Sequence, residues 1–325
     1  MKVLITGASG IVGRYLAENF IRAGYQVFGL SRNPAASAEK LAAMHIQPEW
    51  IAGDIADVLQ LDEICADMDL VIHAAGFVSF QPADRDVLLK INHHGTANVV
   101  NACLKAGCKL MHISSVACIS PGRPMPCEMD ERQGFNPERH SSDYAVSKYL
   151  GELEVSRGVA EGLQAIILNP VIVLAPGNPG ESSAALVHHA AKPRLFQPSG
   201  WLNFIDARDL AEAGRKLAEL GEFSGQRFIL SGGCLSYPDF FGRLSGICGH
   251  PPPSFTVGPL LAGLAWRLEA VRSLFTGKKP LLTRFTAAAS SRKHKYLNGR
   301  IKQHMPASWP RPLEETLQWI LAGNA

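Results

Sequence analysis

Residues 1–20 read MKVLITGASGIVGRYLAENF, and this stretch decides the fold. An apolar run ending at Ile5 leads directly into three glycines, Gly7, Gly10 and Gly13, and a helical pattern follows. Glycine permits a tight turn, lets backbone approach a pyrophosphate, and lets a helix pack closely on a strand. The amides and the dipole at the start of that helix would face the anion. The stretch predicts a dinucleotide-binding turn; the alternative is a glycine-rich turn without a ligand.

Composition narrows the class of protein. The 325 residues are 46% hydrophobic with a net charge of +3, so the chain can bury a large core. No basic block points to a nucleic-acid partner. The seven cysteines form no Cys-x-x-Cys pair, which is typical of reduced thiols rather than disulfides or zinc. The N-terminal apolar run is too short for a signal peptide. We therefore expect a cytoplasmic protein without a metal.

The order of apolar and helical patterns predicts the architecture. Up to about Pro176, short apolar runs alternate with segments of helical periodicity. This alternation predicts an α/β fold, a Rossmann-type doubly wound parallel sheet that binds ligands at the carboxyl ends of its strands. Beyond that point proline and glycine become dense and helices dominate. We expect a dinucleotide-binding domain over 1–176 and a smaller, mostly helical substrate-binding region over 177–325, interleaved with the sheet.

One apolar stretch, residues 257–275, raises the question of a membrane. Arg267, Glu269 and Arg272 interrupt it, so it does not suit a bilayer-spanning helix. The pattern predicts an amphipathic helix under a lid, and the alternative is a weak interfacial anchor. We expect no stable membrane insertion.

The second predicted strand bears on the choice of cofactor. NAD sites place an acidic residue about 20 residues beyond the glycines, on the ribose 2′-hydroxyl. No carboxylate occurs from Asn19 through Ala38, and the strand ends instead with Ser31 and Arg32. An arginine fork suits a phosphate. We predict NADP, with Arg32 and Ser31 on its 2′-phosphate; the alternative is NAD, with Arg32 an ordinary surface residue.

Tyr144 and Lys148 stand four residues apart in the segment YAVSK. This spacing places both side chains on one face of a helix, about one turn apart. A free phenol has a pKa of about 10, and a nearby ammonium lowers it, so the pair predicts a proton donor and acceptor near neutral pH. Ser114 and Ser115 both end an earlier strand, where a hydroxyl can hold a carbonyl oxygen.

Six motifs occur in a fixed order along the chain: TGASGIVG, AGDIAD, VIHAAG, INHHGTANV, ISSVA and YAVSK. Together they resemble the extended short-chain dehydrogenase/reductase family, also described as the epimerase/dehydratase superfamily. The resemblance covers the whole chain and is densest over the dinucleotide-binding part. NPVIVLAPG, NFIDARDLAEA and RPLEETLQWI look most like the dihydroflavonol reductase and 3β-hydroxysteroid dehydrogenase branch.

This resemblance implies a set of site residues. The implied catalytic residues are Ser115, Tyr144, Lys148 and Asn92. The implied cofactor contacts are Gly7, Ser9, Gly10, Ile11, Val12, Gly13, Ser31, Arg32, Asp54, Ile55, Ala74, Ala75, Gly76, Tyr144, Lys148 and Pro170. The family also implies a homodimer that pairs the helices near 92–106 and 144–160, where Val99 and Val100 are among the apolar residues.

Three further residues receive structural interpretations. We interpret His73, in the motif VIHAAG, as a packed or hydrogen-bonded residue rather than a base. Glu152 follows Lys148 by four residues, which predicts an ion pair on the helix surface. Asn169 stands where many members of the family have arginine, and its role is open.

Two functions remain open. The first is an NAD(P)-dependent reductase or dehydrogenase of a small carbonyl or alcohol, in which Tyr144 delivers the proton, Ser115 holds the oxygen and Lys148 tunes the phenol. The second is a nucleotide-sugar epimerase that retains NAD and uses the same residues. A cofactor-sensing regulator would not need these three side chains. The substrate is not identified, and the candidate apolar lining is Phe196, Trp201, Phe204, Phe255 and Trp266.

Overall fold

The computed structural model describes residues 1–42, 47–120, 127–137, 142–177, 182–276 and 283–323. The strands are β1 (Lys2–Thr6), β2 (Gln26–Ser31), β3 (Glu49–Ala52), β4 (Leu70–His73), β5 (Lys109–Ile113), β6 (Cys127–Met129), β7 (Ala165–Pro170), β8 (Ile172–Leu174), β9 (Phe196–Pro198), β10 (Trp201–Asp206), β11 (Ser224–Leu230), β12 (Gly233–Ser236), β13 (Phe255–Val257) and β14 (His294–Tyr296). The α-helices are α1 (Ile11–Arg22), α2 (Pro34–Lys40), α3 (Val58–Cys65), α4 (Arg85–Leu88), α5 (Gly95–Ala106), α6 (Asp143–Ala160), α7 (Ser182–Ala190), α8 (Ala207–Leu220), α9 (Tyr237–Cys248), α10 (Pro259–Thr276), α11 (Arg284–Ala289), α12 (Gly299–Lys302) and α13 (Leu313–Ala322). A π-helical segment, Leu89–His94, joins α4 to α5.

Among the described residues, the main sheet has seven parallel strands in the order β11-β7-β5-β4-β1-β2-β3. Strands β1, β2 and β3 lie side by side in chain order, and the chain then crosses to the other side of β1 to form β4. This change of direction places a crevice at the carboxyl ends of β1 and β4, where ligands bind in such sheets. The predicted Rossmann-type doubly wound α/β fold is confirmed.

Helices cover both faces of this sheet. Alternate residues of β1 point to opposite faces, so Val3 and Ile5 join a core cluster with Leu16 of α1, whereas Leu4 joins the cluster that contains Val99 of α5. Strands buried on both faces read as continuous apolar runs, which explains the pattern of the sequence. Because Val99 and Val100 are fully buried in this core, neither is available to a second copy of the chain, and the homodimer stays a prediction.

The second half of the chain adds small sheets as well as helices. β8, β10 and β12 form a three-stranded sheet, and β9 pairs with β13. A core cluster in this half of the chain contains Leu202, Phe240 and Leu317. β11 also lies in this half, and it extends the main sheet beside β7. The division of the chain at residue 176 stays a prediction. Within the described ranges, no helix combines the length and the hydropathy that a bilayer span requires.

Candidate active site

The glycine turn after β1 has the geometry that its sequence predicts. Gly7 has φ +69°, and a Cβ atom there would lie 2.7 Å from Cα of Ala75. A Cβ on Gly13 would collide with the Gly7 carbonyl oxygen, so α1 packs directly against the turn. Helix α1 begins after Gly10, which supplies no side-chain cap to its first amides. The turn therefore offers backbone donors and a helix N-terminus to an anion in the crevice.

A hydrogen-bond chain fixes the crevice between β1 and β4. The Ala75 amide donates to the Thr6 hydroxyl at 3.1 Å, and Thr6 Oγ1 lies 2.7 Å from His73 Nδ1. His73 Nε2 lies 3.1 Å from Thr96 Oγ1, which donates to the Asn92 carbonyl at 2.7 Å. Because Thr96 has given its one proton to Asn92, His73 Nε2 must carry the donated hydrogen and Nδ1 must accept. His73 is a hydrogen-bonded core residue, as interpreted.

The Asn92 side chain holds the loop after β4. Its Oδ1 accepts from the Phe77 amide at 2.8 Å, and its Nδ2 donates to the Phe77 carbonyl at 2.8 Å and to the Ser147 hydroxyl at 3.0 Å. A Cβ placed on Gly76 would lie 3.4 Å from Asn92 Oδ1 and 3.8 Å from Lys148 Nζ. The loop that touches the glycine turn therefore also touches Lys148.

Tyr144, Ser115 and Lys148 come together at this crevice. Burial raises the pKa of Tyr144 to about 12, and a hydrogen bond with the Ser115 hydroxyl partly opposes the rise. Lys148 is 4% exposed, and its ammonium donates to the Ile113 carbonyl at 2.7 Å; burial lowers its pKa. The prediction that Lys148 lowers the pKa of the phenol is wrong in this structure, because burial dominates and the ammonium is bonded to Ile113.

The two adjacent serines have different environments. Ser114 is 5% exposed, with its hydroxyl 3.4 Å from the Cys118 sulfur and its amide bonded to the Leu168 carbonyl. Ser115 lies on the other side of the chain, where its hydroxyl accepts from the Ala117 amide at 3.1 Å and meets Tyr144. The geometry therefore leaves Ser115, rather than Ser114, beside the phenol.

Glu152 is not on the helix surface, so its predicted ion pair with Lys148 there is wrong. The residue is fully buried, and its Oε2 lies 2.6 Å from a guanidinium nitrogen of Arg227 on β11. Its Oε1 accepts from Asn169 Nδ2 at 2.6 Å, and the same nitrogen donates to the Ser115 carbonyl at 3.0 Å. Asn169 therefore connects Glu152 to the backbone of Ser115.

The residues implied for the adenosine end of a dinucleotide lie along the carboxyl ends of β2 and β3. Arg32 is exposed, and among the described residues it has no hydrogen-bond or ion-pair partner. The Ser31 hydroxyl is engaged with the Ser37 hydroxyl at 2.7 Å and accepts from the Asn33 amide at 3.1 Å. Of the two, Arg32 is the one whose side chain is not engaged.

The other implied contacts take positions with clear local causes. Asp54 Oδ1 accepts from the Ala56 amide at 3.0 Å, which closes the turn after β3. Ile55 packs on α5, where a Cβ on Gly95 would lie 2.5 Å from its Cδ1. Pro170 is buried at the end of β7. Ser9, Ile11, Val12 and Ala74 are partly exposed along the glycine turn and the loop after β4.

The aromatic wall beside Tyr144 consists of two residues that the sequence did not single out. The Phe80 ring meets Tyr144 edge-on at 5.8 Å and stacks on Phe285 of α11 at 5.2 Å. Of the predicted lining, Phe204 is 6% exposed and belongs to the core, whereas Phe196 and Phe255 are 60% and 59% exposed on the outer surface. Phe80 follows the motif VIHAAG closely and could have been found; Phe285 carries no such signal.

Two buried histidines predict a loss of stability in acid. Burial lowers the pKa of His73 to about 3, and it lowers the pKa of His112 well below its ordinary value. The unfolded chain takes up protons near pH 6.5 and the folded chain does not, so stability is full above about pH 6.5 and falls as the pH drops toward 3. At pH 5 each histidine should lower the free energy of unfolding by about 2 kcal/mol, measured by denaturant titration at pH 7 and 5.

His112 provides the matched test of this prediction. Neither ring nitrogen has a hydrogen-bond partner among the described residues, so His112→Leu should cost little at pH 7. The variant should lose about 2 kcal/mol less than the parent between pH 7 and 5. His94→Gln, on an exposed histidine, should behave like the parent. An equal acid loss in His112→Leu and the parent would contradict the assignment.

Together the fold and this crevice define the class of enzymes that work with a nicotinamide dinucleotide. The family model described as NAD dependent epimerase/dehydratase family matches residues 3–228. The chain belongs to this family, and its resemblance to extended short-chain dehydrogenases/reductases is confirmed.

Known proteins are similar over most of their lengths. A Synechocystis sp. protein named "Putative dihydroflavonol 4-reductase" is 31% identical over 278 residues, 82% of this chain and 78% of that protein. The 3 beta-hydroxysteroid dehydrogenase type 7 of Mus musculus is 25% identical, over 98% of this chain and 95% of that protein. The solved UDP-glucuronic acid 4-epimerase of Bacillus cereus in complex with NAD has the same fold, with a TM-score of 0.75 at 18% identity over 100% of both chains.

Proposed function

We propose that this chain is an NADP-preferring reductase of an apolar, ring-bearing carbonyl compound. The observation that carries the proposal is the meeting of the Tyr144 phenol with the Ser115 hydroxyl and the Phe80 ring, at the crevice beside the glycine turn. A phenol keeps its proton at neutral pH, so Tyr144 can donate that proton to a carbonyl oxygen as the carbonyl group is reduced.

Each of four residues at this site has its own role in the proposed reaction. Tyr144 donates its proton to the carbonyl oxygen, and the Ser115 hydroxyl, which lies beside that phenol, donates a hydrogen bond to the same oxygen as negative charge develops. Lys148 is buried against Ile113 and the loop at Gly76, where its charge faces the crevice. Asn92 fixes that loop. Tyr144 is thus the residue that supplies the proton to the carbonyl oxygen.

The crevice fits a dinucleotide. A Cβ at Gly7 or Gly13 would collide with backbone, so the glycine turn can form only with glycine at these positions. The start of α1 has no side-chain cap, and its free amides suit a pyrophosphate. The remaining implied contacts follow the carboxyl ends of β2, β3, β4 and β7. When bound, the nicotinamide would supply the hydride. Arg32, exposed at the end of β2, is the residue we assign to the 2′-phosphate.

Arg32→Asp should reverse the preference between the two cofactors. The arginine donates to a phosphate, whereas an aspartate accepts from a ribose 2′-hydroxyl and repels the phosphate. We expect kcat/KM with NADPH to fall by about 10- to 100-fold and the value with NADH to rise, in steady-state assays with each cofactor. Arg22→Asp, also on an exposed arginine, is the control and should leave the ratio unchanged. A parent enzyme that prefers NADH would refute the NADP assignment.

Two features support an apolar ring-bearing substrate. Phe80 and Phe285 stack beside the phenol and offer flat apolar faces. The names of the Synechocystis and mouse relatives specify a dihydroflavonol and a hydroxysteroid. The test is NADPH oxidation with a panel of ring ketones and short aliphatic ketones. Activity confined to the short aliphatic compounds would contradict this substrate class.

The alternative function, a nucleotide-sugar epimerase, draws on the shared fold of the Bacillus cereus enzyme. An epimerase returns its cofactor to the starting state, so it gives no net change in nicotinamide absorbance. The absence of an acidic residue from Asn19 through Ala38 speaks against it. Conversion of a UDP-sugar without net cofactor oxidation would establish this alternative.

A further inference from the structure

Helix α10 presents a stripe of leucines to solvent. Leu260, Leu261, Leu264 and Leu268 are 91%, 61%, 53% and 63% exposed, and we call them the leucine face. At about 100° per residue they fall within an arc of about 100° on one side of the helix. A contiguous exposed apolar stripe of this kind marks an interaction site rather than ordinary surface.

The paired strands β9 and β13 carry a second group of exposed apolar residues. Phe196 and Phe255 lie with their rings 5.8 Å apart, 60% and 59% exposed, and the adjacent Leu195 is 65% exposed. We call these three residues the aromatic tip. β13 ends at Val257 and α10 begins at Pro259, so the aromatic tip leads directly into the start of the leucine face.

A basic cavity lies between α10 and α11 on the flank of the leucine face. It has a volume of about 910 Å³, and four of its lining residues are cations: Arg267, Arg284, Arg292 and Lys293. No carboxylate is among the described residues that line it. Arg267 is adjacent to Leu268 in the chain and lies about 20° from Leu260 around the helix, so positive charge borders the apolar stripe directly.

We propose that the leucine face and the aromatic tip dock on the surface of an anionic phospholipid bilayer. Leucine and phenylalanine side chains enter the boundary between headgroups and acyl chains, and the exposed cations of the basic cavity, Arg267, Arg284 and Lys293, meet the lipid phosphates. A two-fold pairing of this face with a second copy would bring one basic cavity toward another, which is unfavourable. The combination of apolar stripe and cations fits an anionic lipid surface better than a copy of itself.

Vesicle flotation with the full chain tests this proposal. We expect binding to vesicles of 7:3 phosphatidylcholine and phosphatidylglycerol at 50 mM NaCl. Binding should fall at least fivefold at 500 mM NaCl, and by a similar factor with phosphatidylcholine alone. The salt effect follows from screening of the cation–phosphate contacts.

Two double variants test the apolar and the electrostatic contributions to vesicle binding separately. The double variant Leu260→Ser, Leu264→Ser should lose at least tenfold in binding, and Arg284→Glu, Lys293→Glu should lose the preference for phosphatidylglycerol. Leu59→Ser is the matched control, because Leu59 is 76% exposed on α3, in the other half of the chain. Thermal melts establish that each variant folds.

Three results would overturn the proposal. The first is no binding to either kind of vesicle by a folded chain. The second is equal binding of the parent and both double variants. The third is a concentration-dependent dimer that Leu260→Ser, Leu264→Ser dissociates, because the leucine face would then be covered by a second copy of this chain.

Discussion

Tyr144→Phe should reduce kcat for carbonyl reduction by about 10³-fold, because it removes the general acid and leaves the ring in place. The phenylalanine ring keeps the edge-on contact with Phe80, so the wall of the site is preserved. Cofactor affinity, measured by fluorescence titration, should change by no more than a few-fold. The parent and the variant are compared in single-turnover and steady-state assays with the same ring ketone.

Tyr149→Phe is the matched control for this prediction. Tyr149 lies on the same helix and packs against Phe135 at 4.7 Å, with no role in the proposed chemistry. It should retain activity close to that of the parent. A Tyr144→Phe enzyme with more than a tenth of the parental kcat would contradict the assignment of the phenol as proton donor.

Glu152→Ala should lower the free energy of unfolding by about 2–3 kcal/mol, because it removes the acceptor of the Asn169 amide and the partner of the partly exposed Arg227 guanidinium. The other hydrogen bond of the Asn169 amide, to the Ser115 carbonyl, is the contact that supports the serine. We therefore expect reduced kcat in the fraction that folds. Denaturant unfolding at pH 7 measures the stability loss.

Glu154→Ala controls for the loss of a carboxylate from the same helix. Its ion pair with Arg157 is partly exposed, so the cost should be within about 1 kcal/mol. The double variant Glu152→Met, Arg227→Met should recover much of the stability, because replacing both members of a buried pair removes the unpaired charge. A loss no larger in Glu152→Ala than in Glu154→Ala would show that the buried pair is not a major contributor.

The features that could be predicted from the sequence are those that depend on residues close together in the chain. Gly7 and Gly13 are required by a turn and by a close approach within one strand–turn–helix unit, so their spacing alone indicates the crevice. Tyr144 and Lys148 share a helix face by their spacing, and the structure places both at that crevice. The fold class follows from repeated apolar runs, each of which is local.

Contacts between distant residues could not be predicted in the same way. The four-residue spacing of Lys148 and Glu152 is the same on a surface and in a core, and the partners that hold Glu152 in the core, Asn169 of β7 and Arg227 of β11, are distant in the sequence. The choice between Ser114 and Ser115 depends on which side of the chain faces α6. Phe285 and Phe80 are in contact although they are far apart in the sequence, and a periodic pattern of apolar residues does not indicate such a contact.

The edge strand β11 has a consequence for engineering. It comes from the second half of the chain, yet its Arg227 neutralises Glu152 beside the lysine of the first half. A chimera that exchanges the halves of two homologues at residue 176 would separate these partners. Grafting experiments that aim to transplant substrate preference onto this scaffold must therefore carry the recipient's own edge strand, or exchange the carboxylate and the guanidinium as one unit.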